Sequence, residues 1–219
     1  MSQWQEEKKT VLEASRMMLD KGLVVGTAGN ISVRLASGGG QQLLAITPSS
    51  RSYDSLKIDD IQILDFEARR VEGELTPSME TGLHIGIYLS RDDINAVIHT
   101  HSVFASAVSV TGMDIPPILD DQVAFLGGAI KLAGYARTGS SEQTANVLTA
   151  LGDRNAVLLQ NHGAVGTGIS ISNAFTACEI VEKTARIYLL ALNTGKVNEL
   201  SREAIEAAKE LYYRVQRDR

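Results

Sequence analysis

Apolar residues recur at helical spacing over residues 3–21, where Val11, Leu12, Met18 and Leu19 share a face with Ser15 and Gly22 can close the helix. The pattern then changes. Ile31-Ser32-Val33-Arg34 alternates as a strand does, and Gln42 to Thr47 reads as its partner across a flexible Ser37-Gly38-Gly39-Gly40 turn. Ile61-Gln62-Ile63-Leu64 predicts another strand, with a turn and a short strand leading to Gly73. Thr76-Pro77 reads as a helix start, Thr76 as cap and Pro77 in the first turn, with the helix running on through Glu80, Leu83, Ile87 and Tyr88. Asn95 to His101 predicts a strand and Val103 to Val110 a short helix. Gly127 to Leu132 predicts a strand, Ser141 to Leu151 a helix, and Ala156 to Gln160 a very apolar strand that ends in Asn161-His162-Gly163. Asn173 to Leu192 and Ser201 to Arg214 complete the helices. Short strands joined by hairpin-like turns and mixed with helices predict an α/β fold, a three-layer αβα sandwich around a mainly antiparallel or mixed sheet.

Composition narrows the partners. The 219 residues contain no linker-like stretch, run of like charge or fixed repeat, so residues 1–219 are expected to form one domain. The formal net charge is −5 with no basic patch, which disfavours nucleic acid. No apolar run reaches the length of a membrane span, and the polar segment Met1 to Thr10 does not read as a signal peptide. The one cysteine, Cys178, excludes an internal disulfide and sits in an apolar helical pattern as a small core residue. A cytoplasmic location is the expectation.

Candidate chemistry lies with the four histidines. His99 and His101 are two apart in a strand, so both imidazoles leave the same face and can reach one metal ion; half-buried polar residues at a strand end are the plainer reading. His162 follows an apolar strand and precedes a glycine that permits close backbone approach. Three such imidazoles, with no thiolate near, suit zinc in a nitrogen and oxygen site. Glu80 is the candidate carboxylate, although a helix start or a pairing with His84 accounts for it equally well. His84 is expected on the surface or in helix packing. The segment from Gly26 to Asn30, the segment from Thr47 to Ser50, and Ser78 offer hydroxyls, an amide and backbone N–H groups to an anion, and each is also an ordinary turn or cap.

Taken together and in order, Thr27-Ala28-Gly29-Asn30-Ile31-Ser32, Ile46-Thr47-Pro48-Ser49-Ser50, Pro77-Ser78-Met79-Glu80, Val97-Ile98-His99-Thr100-His101 and Gln160-Asn161-His162-Gly163 resemble the class II aldolase/adducin family from about residue 5 to 192. The motifs match most closely those of its aldolases acting on ketose 1-phosphates such as L-fuculose 1-phosphate. The resemblance implies that His99, His101 and His162 hold Zn2+. Glu80 would be the acid/base and also touch the metal when no substrate is bound. Thr27, Gly29, Asn30, Ser49, Ser50 and Ser78 would line a phosphate site. It further implies a homotetramer with active sites between subunits. Three departures from the family pattern stand out: Met79 stands where a second serine is usual, Ser49-Ser50 where Thr-Gly is usual, and Asp120 where a tyrosine handles the aldehyde's proton. Asp120, Asp121, Tyr212 and Tyr213 are therefore the candidate second acids. The leading expectation is aldol cleavage of a small phosphorylated sugar through an enediolate. Epimerisation, dehydration or decarboxylation by the same chemistry is the alternative, and a metal-free binding domain like the adducin head is the alternative from another class.

Overall fold

The computed structural model describes residues 3–35 and 40–217. Within them eight strands form one sheet: β1 (Asn30–Leu35), β2 (Leu43–Ile46), β3 (Gln62–Asp65), β4 (Arg70–Glu72), β5 (Ala96–Thr100), β6 (Lys131–Ala133), β7 (Ala156–Leu159) and β8 (Gly163–Gly168). They lie in the order β4-β3-β2-β1-β5-β8-β7-β6, and every neighbouring pair is antiparallel except β6 with β7. The described residues also form seven α-helices: α1 (Gln5–Asp20), α2 (Thr81–Ser90), α3 (Val103–Ser109), α4 (Asp120–Leu126), α5 (Ser141–Leu151), α6 (Ile171–Leu192) and α7 (Arg202–Arg217). The expected α/β fold with a mainly antiparallel sheet is the one observed. The glycine-rich turn expected at Ser37 to Gly40 falls largely outside the described residues.

Alternation along the strands builds the layers. Leu43, Ala45, Ala96 and Ile98 pack with Val11 and Met18 of α1 and with Phe175 and Cys178 of α6. Their strand neighbours Leu44, Ile46 and Val97 face the other way, against Leu83 and Ile87 of α2 and Val147 and Leu151 of α5. Both faces of the sheet are therefore covered, so β7 is buried on both sides and reads as a continuous apolar run. Cys178 is buried in the core, as expected.

Three local expectations are corrected. The helix expected from Thr76-Pro77 begins at Thr81, with Glu80 as its N-cap residue. Residues 76–78 instead run antiparallel to 47–49: Pro77 bridges Pro48, the Ser49 N–H donates to the Thr76 carbonyl at 2.8 Å, and the Ser78 N–H donates to the Thr47 carbonyl at 3.2 Å. These bonds satisfy the backbone that a helix would otherwise have satisfied. The strand expected over residues 127–132 is shorter and later: α4 ends at Gly127, which takes φ 88°, and β6 begins at Lys131. Strand β8 is an addition to the expected elements, because Gly163-Ala164-Val165-Gly166-Thr167-Gly168 has weak strand propensity. Its glycines serve packing instead. A Cβ at Gly166 would sit 2.5 Å from the Cys178 sulfur, so only a bare backbone lets α6 lie this close.

Candidate active site

Parity along β5 places the first imidazole. His99 is two residues after Val97 and leaves the sheet on the same side, into the layer of α2 and α5. His101 follows just beyond the strand, where its N–H donates to the Leu23 carbonyl at 3.0 Å. His162 occupies the turn between β7 and β8, after Asn161 at φ 57°. Because β8 pairs with β5, with Val165 opposite His99 and Ala164 opposite Thr100, the turn lies beside the end of β5. Gly163 permits this approach: a Cβ there would sit 2.2 Å from the Thr100 carbonyl oxygen.

The three rings converge. His99 Nε2 is 2.9 Å from His101 Nε2 and 3.3 Å from His162 Nε2, and one ligand nitrogen from each ring lies within 4.8 Å of the others. His99 Nδ1 is 3.0 Å from the Ala164 carbonyl, which can only accept, so Nδ1 carries a proton and Nε2 is the nitrogen turned toward the other two rings. Burial, followed by the neighbouring imidazoles, lowers the His101 pKa to about 4 and holds His162 below its ordinary value. Imidazoles aimed at one point, one of them oriented by a backbone carbonyl, are a donor set suited to a divalent transition metal.

Glu80 reaches the same point from the start of α2 and is 4 % exposed. Its Oε2 accepts from Asn30 Nδ2 at 2.9 Å and lies 3.2 Å from His99 Nε2, while its Oε1 accepts from Gln143 Nε2 at 2.9 Å. Burial alone would raise its pKa. The charge of His99, the Asn30 amide, His162 and Gln143 outweigh that and hold it at about 2. The carboxylate is thus ionised, oriented at both oxygens and adjacent to the histidine cluster.

Thr27, Gly29, Asn30, Ser49, Ser50 and Ser78 border one cleft of about 180 Å³ together with Met79, Glu80, His101, Thr138 and His162. The pairing of residues 76–78 with 47–49 brings the second and third polar segments to it. No lysine or arginine lines the cleft among the described residues, so an anion there meets hydroxyls, an amide and backbone N–H groups.

The remaining candidates are not brought to the cleft within this chain. Tyr212 is 4 % exposed, and its hydroxyl donates to the Asp153 carbonyl and contacts Asn155 Oδ1. It stacks edge-on against Tyr213 in α7. Asp120 is exposed in the first turn of α4, and Asp121 next to it pairs with Lys183. Of the two places expected for His84, surface or helix packing, the surface is excluded: it is fully buried, bonded to Asn30 and Ser32, and its pKa falls to about 3 through burial. The Glu80–His84 pairing suggested by their spacing runs through Asn30. Sequence reasoning missed Gln143 and Thr138. Gln143 carries no signal beyond its place in the first turn of α5, where it looks like any polar helix residue.

Residues 9–189 match the family described as the class II aldolase and adducin N-terminal domain. The chain is 38 % identical over 204 residues to the L-fuculose phosphate aldolase of Escherichia coli K12, covering 93 % of this chain and 90 % of that one. It is 34 % identical over 202 residues to the 5-deoxy-D-ribulose 1-phosphate aldolase of Bacillus thuringiensis serovar kurstaki, covering 92 % and 93 %. A solved structure of an L-fuculose 1-phosphate aldolase superposes with a TM-score of 0.89 at 34 % identity, covering 97 % of this chain and 98 % of the other.

Proposed function

The chain belongs to the class II aldolase and adducin family, and from that premise we propose that it cleaves a ketose 1-phosphate to dihydroxyacetone phosphate and a short aldehyde, using zinc held by His99, His101 and His162. It is a class II aldolase of the fuculose-phosphate and 5-deoxyribulose-phosphate type. The observation that carries the substrate reading is one cleft bordered by the histidine cluster, an ionised and doubly held carboxylate, and three polar segments suited to a phosphate.

When bound, a divalent ion supplies Lewis-acid stabilisation of the negative charge that develops on the sugar's carbonyl oxygen. Thr27, Gly29, Asn30, Ser49, Ser50 and Ser78 hold the phosphate and so fix the reacting carbons beside Glu80. In the condensing direction Glu80 takes a proton from the carbon next to the ketone, and the electron pair is retained as an enediolate. That carbon then bonds to the aldehyde carbon, and the aldehyde oxygen receives a proton. In cleavage the same steps reverse, with Glu80 returning its proton to the enediolate carbon. Glu80 Oε2 lies 3.2 Å from His99 Nε2, so with no substrate present Glu80 would help hold the ion.

Apart from Glu80 and the imidazoles, no titratable side chain borders the cleft among the described residues, so one chain offers no separate acid for the aldehyde oxygen. A homotetramer with a cleft at each subunit contact accommodates this, and the exposed Asp120 suits a contribution to a neighbour's cleft. Tyr212 suits it poorly, being buried with its hydroxyl already bonded. The deciding experiment assays a panel of ketose and sugar-acid phosphates with trapping of aldehydes, alongside metal analysis. Dihydroxyacetone phosphate and an aldehyde in equal amounts, with a divalent ion near one per chain, is the expected result. Carbon dioxide, a dehydrated ketone or an epimer without aldehyde would replace the aldolase reading, and absence of metal after zinc supplementation would favour an adducin-like binding domain.

A further inference from the structure

Behind the cleft runs a line of polar side chains that starts at Asn30 and whose inner members, Ser32, His84 and Tyr88, line neither the cleft nor the histidine cluster. Asn30, Ser32, His84 and Tyr88 are each 4 % exposed or less, against a layer built mainly from leucine, isoleucine and valine. Burying such groups costs free energy unless their hydrogen bonds are made, and here they are made end to end. Tyr88 Oη lies 2.7 Å from Ser32 Oγ, and Ser32 Oγ lies 2.6 Å from His84 Nδ1. His84 Nε2 lies 2.5 Å from Asn30 Oδ1, and Asn30 Nδ2 lies 2.9 Å from Glu80 Oε2.

Stereochemistry assigns every proton along this line. An ionised carboxylate only accepts, so the NH2 of Asn30 must face Glu80. Its Oδ1 then faces His84 and also only accepts, so His84 carries its proton on Nε2. The neutral ring leaves Nδ1 to accept from the Ser32 hydroxyl. Ser32 has spent its one proton, so Tyr88 donates to it. All the bonds point toward Glu80. Turning the Asn30 amide over would set Oδ1 against the carboxylate, a repulsion that no change of His84 tautomer relieves.

We propose that His84 is a positioning residue, which acts through the Asn30 amide to hold the Glu80 carboxylate in its proton-transfer orientation. The inference rests on the reading of Glu80 as acid/base. His84 and Glu80 are four apart at the start of α2, whereas Asn30 opens β1, so the relay ties the carboxylate to both the helix and the sheet. Gln143 holds the other oxygen and is itself oriented by the Gly139 N–H, which donates to its Oε1 at 2.7 Å. The carboxylate is thus fixed at both oxygens by carboxamides that cannot rotate freely. A histidine that served only the core would end its bonds within the core; this line ends on the acid/base.

Two near-isosteres separate the roles. Glutamine at position 84 sets an amide near the place of Nε2 and can still donate to Asn30; asparagine sets one near Nδ1 and can serve only Ser32. In the zinc-loaded enzyme, H84N is expected to lower kcat roughly tenfold with KM and metal content near the parent's, and H84Q to restore most of it. In the Glu80→Gln background H84N is expected to cost less than about twofold, because the group it positions is already gone. Nitrogen-15 NMR of histidine-labelled enzyme is expected to show His84 as the Nε2–H tautomer at neutral pH. Losses that follow thermal stability equally in H84N and H84Q, or that are undiminished in the Glu80→Gln background, would overturn the proposal, as would an Nδ1–H tautomer. An inactive parent enzyme would count against the aldolase reading, and the tautomer would still decide the direction of the relay.

Discussion

On the proposed reading Glu80 and the histidines around it carry the chemistry, and their roles separate by substitution. Glu80→Gln keeps the shape of the side chain but accepts no proton at neutral pH, so turnover is expected to fall by roughly a hundredfold or more while the chain folds and retains metal. A helix-start residue of no catalytic importance would instead lose well under about 2 kcal/mol of stability and turn over normally, which a denaturation curve beside a rate measurement distinguishes. His99→Ala, His101→Ala and His162→Ala are each expected to lower metal occupancy sharply, and His84→Ala is not, as metal analysis of the four purified variants will show. Burial also fixes a pH response. The His84 pKa is held at about 3 in the fold against an ordinary 6.5, so the unfolded chain takes up its proton first. The contribution is therefore complete above about pH 6.5 and declines by about 1.4 kcal/mol per pH unit as the pH falls toward 3. Glu80, held at about 2 against an ordinary 4.5, adds a loss below pH 4.5 of the same sign. Denaturant titration of metal-free protein between pH 8 and pH 5 is expected to show a shallower acid loss in His84→Gln than in the parent.

At the scale of elements, the β7–β8 turn is the critical joint. Gly163 lies against the Thr100 carbonyl and carries the chain from His162 into β8. Gly163→Ala is expected to push β8 away from β5, displacing His162, lowering metal occupancy and costing about 1–3 kcal/mol of stability; normal metal content in this variant would show that the approach is not required. The same strand shows what sequence patterning reaches and what it does not. The parity that sets His99 and His101 on one face is legible, because a strand has period two and the preceding residues are apolar. The apolar run of β7 is legible for the same reason. Strand β8 is not, since its glycines answer to the backbone of α6 and to Thr100, which are remote in sequence. The Thr76-Pro77 segment has the residues of a helix start, yet its backbone is satisfied by 47–49, a tertiary pairing that local propensity does not encode. His84 reads from the sequence as surface or helix packing because its partners come from β1, remote along the chain from α2.

For the whole molecule, the sheet supplies a wall and the α2–α5 layer supplies Glu80 and Gln143, with the cleft at their junction. What a single chain leaves open is the proton for the aldehyde oxygen. If Asp120 of a neighbouring copy provides it, Asp120→Asn is expected to slow cleavage of the ketose phosphate by about tenfold or more while sparing proton exchange at dihydroxyacetone phosphate, which involves no aldehyde; equal loss of both, seen in parallel assays, would place Asp120 elsewhere. That exchange half-reaction also isolates the central claim, that Glu80 beside the three-histidine cluster moves a proton on the carbon next to a carbonyl. The measurement is the incorporation of deuterium from heavy water into dihydroxyacetone phosphate by the zinc-loaded enzyme, followed by proton NMR without any aldehyde present. One deuterium per molecule is expected, from one of the two hydrogens on the unphosphorylated terminal carbon, together with loss of that exchange in Glu80→Gln. Exchange that persists at the parent rate in Glu80→Gln, or no exchange in a parent enzyme that holds its metal, would contradict that claim.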